Sequence, residues 1–224
     1  MNMETEHFIC TGKDRDLLRP FADTLERRLV SVIKDFGLSE PVLKDRIRFH
    51  LCEDVEEYIA AAHKTRETYQ SWMVGNSDFL SRRICLLSPG ADRELFRERE
   101  RVAVHELVHM VLDDITGSPE NEAWLSEGIA ILYAGQTDLR YVSDADHPAV
   151  SALSEICRNG ETPDSFADNG GYGYAGIYVW YFLKKYGTDI FMQAYQNKIC
   201  AADRIYPGFE AEAISAYRKE QNHE

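Results

Sequence analysis

The chain has 224 residues and a 44% hydrophobic fraction, enough for one large domain or two closely packed lobes. Its formal net charge of -13 disfavours nucleic acid and anionic membrane as partners. No apolar run approaches the roughly 18–20 residues that a membrane-spanning helix needs.

The N-terminus (Met1-Asn2-Met3-Glu4-Thr5-Glu6-His7) is acidic and lacks the basic and apolar regions of a signal peptide. The cysteines (Cys10, Cys52, Cys85, Cys157, Cys200) are odd in number and have no C-x-x-C spacing. That pattern suits free thiols in a reducing compartment, so a cytoplasmic protein is expected.

In chain order, Leu17, Leu18, Phe21, Leu25, Leu29, Val32, Ile33 and Phe36 recur at helical spacing over 14–36, with Gly37 as the stop. Residues 46–52 alternate, with Ile47, Phe49 and Leu51 set against Arg48 and His50, as in a half-buried strand. Asp54 suits the N-cap of a helix running to about Lys64. A strand and turn are expected within 69–80, and a short strand over Arg83–Leu87, ended by Ser88-Pro89-Gly90.

From Asp92 the pattern is mostly helical. One helix is predicted over about Asp92–Ile115, closed by Thr116-Gly117-Ser118-Pro119, and a second over about Glu122–Ala134, closed by Gly135. A shorter helix follows Pro148. Another covers Tyr174–Tyr186 up to Gly187, and two more cover 188–200 and 208–220. Neither 1–45 nor 136–170 carries a functional motif, although Asn169-Gly170-Gly171-Tyr172-Gly173 is a candidate hinge for a flap. The sum is an α+β domain: a strand-containing lobe over about 1–118 that includes the first of these long helices, and a helical lobe over about 119–224.

Residues 105–109 read His-Glu-Leu-Val-His, an H-E-x-x-H motif on that helix. Positions i and i+4 of a helix share one face, so His105 and His109 can point at a single ion. The apolar run around them (Val102, Ala103, Val104, Leu107, Val108, Met110, Val111, Leu112) predicts a buried helix, and polar side chains there need partners. The next helix contributes Glu127 within Trp124-Leu125-Ser126-Glu127-Gly128-Ile129-Ala130. Two imidazoles and a carboxylate suit zinc and leave a fourth position for water, whose pKa zinc lowers to about 7. Glu106 is placed to take a proton from that water and pass it to a leaving amine.

At His105–His109 and Trp124–Ala130 the chain resembles the gluzincin zinc metallopeptidases of the MA clan. It is nearest to small bacterial peptidase MA-like domains and distantly like the M1 aminopeptidases. Further parts of the likeness are Leu87-Ser88-Pro89 and the stretch from Tyr172 to Tyr186-Gly187. The resemblance implies a zincin-like fold, a Zn2+ cofactor and a peptide or protein substrate. It also implies that His105, His109 and Glu127 are zinc ligands and that Glu106 is the general acid/base. A tyrosine of the later helix would stabilise the oxyanion. Tyr172 falls in that place, with Tyr174 as the alternative.

The chain departs from the aminopeptidases in lacking a G-x-M-E-N segment before the zinc helix, so the resemblance does not extend to aminopeptidase action. Asp113, one turn beyond His109, is a candidate for orienting the histidines, a helix-end cap or a solvent-facing position being the alternatives. Such hydrolases commonly hold substrate backbone on an edge strand; Ile84–Leu87 is the candidate strand, an internal strand being the alternative. Two other readings are open: a zinc-stabilised binding or scaffold protein without peptidase activity, or a metal hydrolase of a non-peptide amide or ester.

Overall fold

The computed structural model describes residues 1–38, 45–117, 122–143, 146–158 and 163–222, without the side chains of 141, 155–158 and 163–165. The architecture is α+β, with a mixed five-stranded sheet and, among the described residues, eight α-helices. It divides into two compact units, Met1–Gly117 and Ser118–Glu224. No helix among the described residues is long and apolar enough to cross a membrane.

The first unit contains β1 (Asn2–Glu4), β2 (Phe8–Thr11), α1 (Arg15–Asp35), β3 (Ile47–Cys52), α2 (Val55–Ala61), β4 (Gly75–Asp78), β5 (Arg83–Leu87) and α3 (Arg93–Thr116). The strand order is β1-β2-β3-β5-β4. The central strands β2, β3 and β5 are parallel, while β1 and β4 flank them antiparallel. One sheet face packs on α1 and α3, where the Phe21 ring lies 5.8 Å from Phe49 and 4.8 Å from Phe96. The other face packs in part on α2, where Cys52, Tyr58, Ala62, Met73 and Cys85 form a smaller buried cluster. Cys10, Cys52 and Cys85 are buried free thiols and Cys200 is an exposed one; the side chain of Cys157 is outside the described residues.

Local signals place these elements well. Asp14, Asp54 and Asp92 each accept backbone N–H groups in the first turn of α1, α2 and α3, satisfying donors that a helix start leaves open. Three expectations change. The strands β1 and β2 have no counterpart in the sequence reading, being three and four residues long and too short for periodicity to register. Helix α2 ends at Ala61, and the chain turns away through His63 at φ 54. Finally, β5 is an interior strand, hydrogen-bonded to β3 on one side and β4 on the other, so Ile84–Leu87 is not an edge. The edge beside α3 is β4.

The second unit is helical: α4 (Ala123–Ala134), α5 (Val150–Arg158), α6 (Pro163–Asp168), α7 (Gly171–Tyr195) and α8 (Phe209–Gln221). The predicted stop at Ser118-Pro119 lies outside the described residues. Helix α7 is interrupted at Gly187, where φ is 80, and its second part ends at Tyr195; Ala201–Arg204 is a 3-10 turn. The glycine-rich stretch is a packed helix start. Gly170 caps α7, and Gly171 is so close to Phe166 that a Cβ would lie 2.6 Å from its ring.

Helices α4 and α7 form the core of this unit, with Trp124 edge-on to Phe182 at 5.9 Å. Gly128 permits their approach, since a Cβ there would lie 2.4 Å from the Ala175 carbonyl oxygen and 2.5 Å from Val179 Cγ2. Backbone cannot yield as a flexible side chain can. Replacing Gly128 with Ala should therefore destabilise the chain by about 1–3 kcal/mol, read as a lower urea midpoint. An unchanged midpoint would mean that the two helices do not approach this closely.

Candidate metal centre

Helix α3 carries the two histidines where it is most deeply set. Ala103, Val104, Leu107, Val108, Met110, Val111 and Leu112 are all buried, so the helix is apolar around most of its circumference. His109 is 9% exposed and His105 half-buried. One turn apart, their rings meet edge-on with centroids 4.7 Å apart, and the Nε2 atoms converge to 3.0 Å. Two nitrogens bound to one tetrahedral zinc at roughly 2.0–2.1 Å would stand about 3.3 Å apart, so the pair is close to ligating geometry.

Glu127 lies on α4, directly before the tightly packed Gly128. The start of α4 is tied by Glu122, whose Oε2 accepts from Trp124 Nε1 at 2.7 Å and from Ser154 Oγ at 2.9 Å. Ser126, beside Glu127, meets the Tyr195 hydroxyl at 3.3 Å. His105, His109 and Glu127 each offer a ligand atom, and these atoms lie within 4.8 Å of one another, a group that could hold a metal ion. Two imidazoles and one carboxylate are also a donor set that fits zinc.

Glu106 follows His105 on α3, and its Oε2 accepts a hydrogen bond from Ser77 Oγ at 2.8 Å. Ser77 belongs to β4, which approaches α3 closely because residue 75 is glycine. A Cβ at Gly75 would lie 2.3 Å from Val102 Cγ1 and 3.1 Å from Glu106 Oε1. From the opposite sheet face, the Tyr58 hydroxyl donates to the Gly75 carbonyl at 2.7 Å. Burial, followed by the nearby Glu106, pushes the Tyr58 phenol well above its ordinary pKa, so it stays protonated as a donor. Gly75, Ser77 and Tyr58 thus set the position of Glu106. None belongs to a motif, and only the β4–α3 packing reveals them.

Burial pushes the Asp113 carboxyl up to about 6, with nearby His109 acting in the opposite sense. The two candidate tyrosines differ in their surroundings. Tyr174 is 5% exposed, and its hydroxyl accepts from Ser143 N at 2.8 Å and donates to the Asp146 carbonyl at 3.1 Å. Tyr172 is half-buried, its ring edge-on to Phe166 at 5.0 Å.

Replacing Glu127 with Ala should sharply reduce any metal ion retained by purified protein, as measured by metal analysis; retention equal to that of the unaltered chain would remove Glu127 from the candidate ligands. No family model, no curated protein and no solved structure matches the chain.

Proposed function

We propose that the chain is a zinc-dependent metallopeptidase of gluzincin type with a zincin-like fold, in which His105, His109 and Glu127 hold the ion. The observation that carries this reading is the convergence of those three donors, with Glu106 next to His105 on the same helix. Bound zinc supplies a Lewis acid for the scissile carbonyl and lowers the pKa of water to about 7. Glu106 takes the proton of the attacking water and delivers it to the leaving amine. Ser77 donates to one carboxylate oxygen and leaves the other for the proton.

Tyr172 is the oxyanion donor in this reading. The Tyr174 hydroxyl is committed to Ser143 and Asp146, which weighs against Tyr174 in that role. A peptide substrate is favoured by β4, an edge strand packed on the helix that carries Glu106. An extended peptide can add to such an edge through its backbone groups, which a compact amide or ester cannot do.

Glu106→Gln should retain zinc and lower hydrolysis of a peptide library by at least about 100-fold, the scale of general acid–base catalysis. Full activity of the zinc-loaded variant would overturn the mechanism. Ser77→Ala removes one hydrogen bond to a charged group, so kcat should fall about 10-fold with zinc content unchanged. Ser77→Thr should restore most of the loss, because it keeps the hydroxyl; a kcat unaffected by the alanine would show that Ser77 does not position the base.

A further inference from the structure

The sheet face away from α1 and α3 is only partly covered by α2. Its uncovered part holds a cavity of about 510 Å³ lined by Ile9, Thr11, Arg48, His50, Ala61 and Arg83. These residues come together through strand register. Ile9 is beside Arg48, Thr11 beside His50, and Arg48 beside Arg83. Parallel neighbours are about 4.8 Å apart, so two guanidinium-bearing side chains leave the sheet side by side.

Like charges at directly opposed positions are destabilising, and folds commonly place a carboxylate between them. The adjacent arginines have such partners: Arg46 pairs with Glu4 at 2.6 Å, and Arg82 pairs with Asp114. Among the described residues, neither the Arg48 nor the Arg83 side chain makes a hydrogen bond or ion pair. Acidic groups on this face have other partners, Glu4 having Arg46. Asp78, beside Arg83 in register, accepts from Ser81 Oγ at 2.7 Å and Leu80 N at 3.0 Å, with His63 at 4.0 Å. Glu57 accepts Glu53 N at 2.7 Å and meets His50 Nε2 at 3.1 Å. His50 is in turn fixed by Thr11 Oγ1, 2.7 Å from its Nδ1, and forms a wall of the cavity.

We propose that this cavity binds a small phosphate-type dianion, held by Arg48 and Arg83. Two cationic groups match two negative charges, and planar guanidinium forks suit tetrahedral oxyanions through paired N–H donors. A single carboxylate would neutralise only one of them. In a chain of net charge -13, anions are repelled at long range, so such a site must act through local contacts. Ile9 and Ala61 give the cavity an apolar side, which accommodates the organic part of a phosphomonoester as well as free phosphate.

The site lies wholly within residues 1–117 and does not depend on the metal centre. It is tested by calorimetric titration of the full chain with inorganic phosphate, phenyl phosphate and acetate, in the presence of chelator. Saturable binding of the phosphates, with acetate at least about 10-fold weaker, is expected. Equal affinity for the two phosphates would identify free phosphate as the ligand, and tighter binding of phenyl phosphate a phosphomonoester. Arg48→Gln and Arg83→Gln should each weaken binding about 10-fold or more, as loss of one charge-assisted contact does. Lack of saturable phosphate binding by the unaltered chain, or unchanged affinity in the folded double variant, would overturn the proposal.

Discussion

His105 and His109 bring two imidazole nitrogens to 3.0 Å on a helix whose neighbouring residues are buried and apolar. Two ring nitrogens at that separation can present their lone pairs to a single cation, and a carboxylate such as Glu127 can balance its charge. The requirement to hold polar groups in an apolar setting therefore links the helix packing of α3 to the chemistry proposed for it.

Two absent side chains do comparable positioning. Gly75 lets β4 come against α3, so that the next residue on that sheet face, Ser77, reaches the Glu106 carboxylate. Gly128 lets α4 settle on α7 beside the Glu127 backbone. In each case the placement of a polar side chain depends on a neighbour small enough for backbone to approach. The Tyr58 hydroxyl holds the Gly75 carbonyl from across the sheet, which ties the small cluster under α2 to the position of Glu106.

The two faces of the sheet divide the chemistry. One is closed by α1 and α3, the helix that carries His105 and His109. The other is closed by α2 over Cys52 and Cys85 and left open over Arg48 and Arg83. The same alternation that buries Ile47, Phe49 and Leu51 turns Arg48 and His50 outward. A half-buried strand thus serves the core and an open polar cavity together.

The sequence by itself determined what depends on near neighbours along the chain. Helix starts at Asp14, Asp54 and Asp92, the alternation of β3, the break at Gly187 and the shared face of His105 and His109 all follow from interactions spanning a few residues. Only the tertiary structure decided which strand is the edge beside α3, because strand order is set by pairing among distant segments and Arg83–Leu87 reads alike as edge or interior. The same holds for Ser77 against Glu106, 29 positions apart, and for Arg48 beside Arg83. These contacts arise from sheet register and helix packing, and neither the period nor the composition of any one segment encodes them.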